Sequence, residues 1–222
     1  PKVNGGMVVM DNRTGRVLAM IGGYDSSSSF NRSTQAKRQL GSSFKPIVYL
    51  TALENGYTPI SKVLDAPFVV DDYSDKGVWR PTNYGDKFYG PSTLRLGIEK
   101  SRNLMTVRLS DQLGLDKISK VSLKLGVYEK FPNLISSSLG SLESTLQKIT
   151  AAYATIANGG YKVEANLIDV IYDSNGEVLY KADQRQCLDC VVDNNLISNP
   201  SALKRITIPE IKNNSLKVFS EE

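Results

Sequence analysis

The stretch Phe44-Lys45-Pro46-Ile47-Val48-Tyr49-Leu50-Thr51-Ala52-Leu53 is apolar nearly all round, with Lys45 its one charged residue. A helix without a polar face has nowhere to sit but the interior, so this segment predicts a buried helix around which the rest of the chain packs. Gly41-Ser42-Ser43 leads into it and Asn55-Gly56 is a fitting C-terminal stop. If Ser43 caps the helix, Pro46 falls at the third helical position, where its missing N–H breaks no bond. The chain has 222 residues, 41% of them apolar and 23% charged. That is enough for one large domain over residues 1–222, and it argues against wholesale disorder.

Other elements are legible around this helix. Met7–Met10 and Arg16–Ile21 flank Asp11-Asn12-Arg13-Thr14-Gly15, whose composition suits a tight turn, so a β-hairpin is predicted. Residues 57–92 are rich in Pro, Gly, Asp and Tyr and read as an irregular excursion. Leu94–Lys100 and Leu104–Leu113 read as helices broken around Ser101-Arg102-Asn103. Leu115–Leu125 repeats apolar residues at helical spacing up to Gly126, and Leu146–Asn158 is amphipathic up to Gly159-Gly160. Asp173-Ser174-Asn175-Gly176 between two apolar runs predicts a second hairpin, and residues 181–222 read as a polar, loop-like tail.

Composition removes several chemistries. There is no histidine, which excludes Ser-His-Asp and Cys-His hydrolysis, HExxH zinc chemistry and histidine-ligated haem. Two cysteines cannot close a zinc site alone. The net charge of +4 is spread along the chain without a basic stripe, so nucleic acid is not an expected partner. No apolar run approaches the roughly 20 residues of a membrane helix. The sequence opens at Pro1 without methionine and reads as part of a longer protein whose targeting signals lie elsewhere.

Without histidine a serine nucleophile needs another base, and a lysine of lowered pKa can serve. Ser42-x-x-Lys45 offers that pair one helical turn apart, at a helix start whose positive potential favours an alkoxide and disfavours a lysinium. The string alone is weak: Ser201-Ala202-Leu203-Lys204 matches too, but in a polar tail after a proline. Ser101-Arg102-Asn103 offers a hydroxyl for proton relay and an amide for a substrate carbonyl, or else merely a kink with two capping side chains. Ser-x-x-Lys, Ser-x-Asn and Lys-Thr-Gly, in that order, are the signature of penicillin-binding proteins and class A β-lactamases. The first two are present in order.

The surroundings sharpen the resemblance. Gly41-Ser42-Ser43-Phe44-Lys45-Pro46, with Phe30-Asn31-Arg32 upstream, resembles the active-serine segment of class A penicillin-binding proteins. Tyr89-Gly90-Pro91, Leu94-Arg95 and Glu99-Lys100-Ser101-Arg102-Asn103 are similar to that family's second-motif region. Leu139-Gly140-Ser141-Leu142-Glu143, Ala152-Tyr153-Ala154 and Ala157-Asn158-Gly159-Gly160 extend the likeness, and Gln186-Cys187-Leu188-Asp189-Cys190 points to the 1A type of Gram-negative bacteria. The departure is the third motif: no lysine begins Lys-Thr-Gly or Lys-Ser-Gly, and Arg13-Thr14-Gly15 reads as turn chemistry in the first hairpin.

The resemblance implies an α/β (α+β) fold of the β-lactamase/DD-peptidase-like serine transpeptidase kind, truncated before the third-motif strand. It implies a peptidoglycan D,D-transpeptidase as the parent activity. Ser42 would be nucleophile, Lys45 its base or proton relay, Ser101 the carrier of a proton to the leaving amine, and Asn103 a ligand of the substrate backbone. No cofactor and no metal are implied. The implied partners are peptidoglycan stem peptides, lipid-linked precursors and β-lactams. The implied setting is the periplasmic face of the bacterial inner membrane, in a single-pass anchored parent that also carries a glycosyltransferase domain. Truncation implies near-inactivity of these residues alone, a bare hairpin edge, partial loss of cover over the buried helix, and self-association or a co-purified C-terminal piece. The alternatives are a DD-carboxypeptidase or β-lactamase, and a non-catalytic β-lactam-sensing or interaction module. Cys187-x-x-Cys190 reads as half a zinc site, a redox pair or, preferred for an oxidising periplasm, a structural disulfide. Tyr24, Tyr73, Tyr84 and Tyr89 read as loop packing or as lining of a glycan-peptide groove, and Glu143 as a helix-entry residue in preference to a deacylating carboxylate.

Overall fold

A computed structural model describes residues 3–25, 28–71, 78–188 and 210–219 of the chain. The second Ser-x-x-Lys string, Tyr73 and Cys190 therefore lie outside the described residues.

Strands β1 (Met7–Met10) and β2 (Val17–Ile21) form the expected antiparallel hairpin. Asp11 makes the turn: its Oδ1 accepts the N–H groups of Arg13 and Thr14 at 2.9 and 2.8 Å. Those two bonds hold its carboxyl below the usual carboxylate range. A short strand β3 (Arg38–Gln39) leads into a 3-10 turn, Gly41–Phe44, and then into helix α1 (Lys45–Leu53). The sequence suggested Ser43 as the helix cap. The structure differs: the turn starts the winding earlier, Phe44 is the N-cap, and Ser43 Oγ donates instead to Leu40 O at 2.6 Å. Pro46 accordingly stands in the first turn, where its missing donor is harmless.

The excursion contains more order than its composition suggested. Strand β4 (Lys62–Asp65) pairs with β7 (Gly90–Thr93), and between them β5 (Val70–Asp71) pairs with β6 (Val78–Trp79). Helices α2 (Leu94–Glu99), α3 (Asn103–Leu113), α4 (Leu115–Lys124) and α5 (Leu146–Ala157) come next, with a 3-10 segment Ile135–Leu139 and strand β8 (Glu143–Ser144) before α5. Glu143 thus lies in a strand, and Thr145 is the residue that caps α5, accepting from Lys148 N. The second hairpin is β9 (Val170–Tyr172) with β10 (Val178–Lys181). In the tail, β11 (Gln186–Cys187) pairs with β12 (Ile211–Lys212), so that region is not purely loop. Cys187 is disulfide-bonded.

Helix α1 is the centre of the core, as its sequence requires. Phe44, Ile47, Val48 and Ala52 are fully buried against α3, α4 and the Ile135–Leu139 segment. Burying each of the three larger side chains contributes roughly 1.5–3 kcal/mol. Along the helix Pro46 and Leu50 are half-buried, and Leu53 at its C-terminal end is exposed. Phe44 stacks with Tyr128 and Phe131 at centroid distances of 5.3 and 5.9 Å, which anchors the start of the helix from below. The hairpin β1–β2 lies on α5.

Candidate active site

Three of the four residues singled out from the sequence, Lys45, Ser101 and Asn103, meet at the entry of α1, and Ser42 lies in the turn just before it. Lys45 is 1% exposed, an unusual state for an ammonium group. Its Nζ donates to Ser101 O at 2.7 Å, to Ser101 Oγ at 3.0 Å and to Asn103 Oδ1 at 2.6 Å. Three protons meet three acceptors, all of them from the second motif. None of the three is a carboxylate, so the charge is solvated but not neutralised. Burial accordingly pushes the Lys45 ammonium down to about 8 from an ordinary 10.5.

Ser42 lies in the exposed part of the 3-10 turn. Its hydroxyl is not bonded to Lys45, whose three protons are all directed at Ser101 and Asn103. The direct Ser42–Lys45 contact expected from the spacing is therefore not made in this state. The reason is local. The turn is 3-10, not α, and the lysine stem runs inward to the second motif while Ser42 stays at the surface.

The turn carrying Ser42 is held from three sides. Gly41 N–H donates to Gly140 O at 2.9 Å, and Arg38 and Gln39 pair with Ser144 and Glu143. The Tyr153 hydroxyl, from α5, donates to Ser43 O at 2.9 Å. Gly140, Glu143 and Tyr153 belong to the blocks that carry the sequence resemblance, and their work here is to clamp the backbone around the serine. Phe30-Asn31-Arg32 instead braces the end of the first hairpin: Arg32 N–H and NH1 both donate to Gly22 O.

The second motif sits on a strained turn. Ser101 has φ +51°, in the left-handed region. Ser101 N–H donates to Ile98 O at 3.1 Å and Arg102 N–H to Gly97 O at 2.9 Å, which is the Schellman closure of α2 with a serine where glycine is usual. This backbone turn brings the Ser101 carbonyl and hydroxyl to the same ammonium. Asn103 is the first residue of α3, and its Nδ2 donates to Thr82 O at 2.8 Å.

Sequence reasoning missed the residues behind this turn. Asp65 is fully buried, accepting from Arg102 NH1 at 3.0 Å and from Asn83 Nδ2 at 2.6 Å. Asn83 Oδ1 in turn accepts Leu104 N–H at 3.2 Å, capping α3 from across the fold. Arg102 also lies over the Tyr89 ring, 3.2 Å from its centroid. A signal for Asp65 existed: in Lys62-Val63-Leu64-Asp65 the two-residue period puts the acid on the same face as the buried Val63. Nothing in Pro81-Thr82-Asn83-Tyr84-Gly85 marked Asn83. Of the loop tyrosines, Tyr84 and Tyr24 are exposed, and half-exposed Tyr89 serves Arg102.

This geometry has known relatives. The family described as "Penicillin binding protein transpeptidase domain" matches residues 5–199. Penicillin-binding protein 1A of Rickettsia conorii is 48% identical over 198 residues, which is 88% of this chain and 25% of that protein. The crystal structure of penicillin-binding protein 1A from Haemophilus influenzae superposes with a TM-score of 0.74 at 32% identity, over 81% of this chain and 27% of that one. PonA1 of Mycobacterium tuberculosis in complex with penicillin V superposes at 0.70 with 26% identity, over 81% and 50%. The chain spans a quarter of the length of the Rickettsia relative. The serine turn, the buried lysine and the Ser-x-Asn turn thus occur together in a chain that belongs to the penicillin-binding protein transpeptidase domain family.

Proposed function

We propose that this chain carries the acylation machinery of a serine-type peptidoglycan D,D-transpeptidase and that β-lactams acylate the same serine. In this reading Ser42 Oγ attacks the carbonyl of the penultimate D-Ala of a donor stem peptide. An O–C bond forms, the C–N bond to the terminal D-Ala breaks, and the Ser42 proton ends on the departing amine. An amine of a neighbouring stem peptide then attacks the ester and releases Ser42 with the cross-link made. The same reading puts the intact protein at the periplasmic face of the inner membrane, with its anchor and glycosyltransferase domain outside these 222 residues.

The observation that carries the reading is the buried Lys45 ammonium with its three acceptors. Two of them, Ser101 O and Asn103 Oδ1, can only accept. Ser101 Oγ alone can also donate. When Lys45 loses a proton, its lone pair takes the place of the N–H that faced Ser101 Oγ, and that hydroxyl turns to donate. Protons therefore pass between Lys45 and Ser101, and a rotation of the exposed Ser42 side chain toward Lys45 completes the path. Ser42 N–H lies between two engaged neighbours, Gly41 N–H and Ser43 N–H, ahead of the turn's own bonding, and is the donor for the oxyanion. Asn103 keeps its Oδ1 on Lys45 and one Nδ2 proton on Thr82 O, leaving the second Nδ2 proton for a substrate carbonyl.

The test is acylation of the intact gene product by labelled penicillin, with mass spectrometry of the labelled peptide. Label is expected on Ser42, absent in Ser42→Ala. The rate is expected to rise with pH as Lys45 passes through about 8 and becomes a free base. Label on another residue, or a rate that falls across that interval, would sink the reading. Retained covalent label in Ser42→Ala would do the same.

A further inference from the structure

We propose that Asp65 is a positioning residue: through Arg102 it holds Ser101 in the left-handed turn that presents its hydroxyl to Lys45. The proposal rests on the reading of Lys45 and Ser101 given above.

The argument starts from cost. Moving a carboxylate and a guanidinium out of water is expensive, and a buried ion pair commonly gains no stability over well-packed apolar side chains. Yet Asp65 is 0% exposed at its side chain and Arg102 13%, with 3.0 Å between Oδ2 and NH1. The pair ties directly into the motif, because Arg102 stands between Ser101 and Asn103 in the chain. Its backbone N–H closes the Schellman motif on Gly97 O, and its side chain is clamped between Asp65 and the face of Tyr89. A residue so fixed at both ends fixes the peptide before it, and with it the direction in which Ser101 presents its hydroxyl to Lys45 at 3.0 Å. Asp65 itself is rigid. It ends β4, opposite Gly90, and its second oxygen takes Asn83 Nδ2.

The left-handed serine makes this support necessary. A non-glycine residue at φ +51° sits where L-residues are disfavoured, so a free turn would relax and carry the hydroxyl away from Lys45. Glycine would remove the strain but has no hydroxyl. The strain is therefore retained at the site and balanced from behind by the ion pair.

A double-mutant cycle on penicillin acylation in the intact gene product tests this, with Ser101→Ala as the second change. Asp65→Asn keeps the side chain's shape but removes the charge that holds Arg102. It is expected to slow acylation on the order of 10- to 100-fold in the parent, because misplacing a reacting group has costs of that size. In the Ser101→Ala background, where the positioned hydroxyl is gone, Asp65→Asn is expected to slow the reaction by no more than about twofold. A merely structural role lowers the active fraction by the same factor in both backgrounds, and that outcome overturns the proposal. So does a parent-like rate in Asp65→Asn. A parent-like rate in Ser101→Ala alone would refute the reading of the site itself. Should Asp65→Asn fail to fold, Tyr89→Leu, which removes the ring under Arg102 from the half-exposed side, takes its place in the same cycle. Its expected loss is about threefold in the parent and none with Ser101→Ala.

Discussion

Ser101 sits in a backbone region that L-residues avoid, at the one place in its turn where glycine would be normal. Two effects oppose each other there. The left-handed φ destabilises the fold, while the hydroxyl and carbonyl it aims at Lys45 solvate a buried charge. Comparing Ser101→Ala with Ser101→Gly separates them, since both delete the hydroxyl and only the second relieves the backbone. Ser101→Gly is expected to be more stable than Ser101→Ala by about 1 kcal/mol in chemical denaturation. Both are expected to acylate slowly. An alanine variant as stable as the glycine variant would mean that the turn carries no strain. The serine itself was visible in the sequence as half of a weak motif. Its strain was not, because φ at a helix end depends on how the next residue is held. Here that residue is an arginine anchored to a strand 37 positions earlier.

At the scale of elements, the segment before α1 is shaped by its neighbours in space. Gly41 has φ +53° with open space where a side chain would start, whereas a Cβ at Gly140 would run into Gly41 O and fall 2.6 Å from Gly41 N. The two glycines therefore respond differently to the same change. Gly41→Ala is expected to lower stability by about 1 kcal/mol through backbone strain alone. Gly140→Ala must also displace the peptide that carries Ser42, so it is expected to cost more than about 2 kcal/mol and to slow penicillin labelling beyond its effect on the melt. Equal losses for the two would contradict the close approach of the two backbones. The helices α2 to α5 were legible because their signals are local: apolar periodicity and a breaking residue at each end. The pairing of β4 with β7 was not, since Lys62–Asp65 and Gly90-Pro91-Ser92 fall in the stretch that reads as an irregular excursion, and their strand character comes only from each other. The 3-10 start of α1 escaped for a related reason. Gly41 is set in its left-handed conformation with its N–H on Gly140, a residue far along the chain.

The whole molecule adds a surface property that none of these parts has alone. Hairpin β1–β2 meets α5 through β1, half-buries Val8 and its cross-strand partner Met20, and leaves Met7, Val9 and Ile21 each more than 40% exposed. On the β2 side, the start of the strand is partly covered: Val17 N–H donates to Asn166 O and Asn166 N–H to Gly15 O. Toward β1, among the described residues, the ladder ends, so apolar side chains and strand backbone are presented together. The second hairpin exposes Ile171, Tyr172, Val178 and Leu179 in the same manner. Such faces recruit other strands. The 222 residues expressed alone are therefore expected to self-associate, in light scattering, with a mass that grows with concentration. Val9→Lys places a charge in the middle of the outward face, where pairing would bury it, and is expected to shift the population toward monomer without lowering the melting temperature, because Val9 is exposed. A monomer at every concentration for the unaltered sequence would show that the outward face is too small or too twisted to pair. An unchanged mass in Val9→Lys would move the contact to the second hairpin, where the corresponding change is Leu179→Lys.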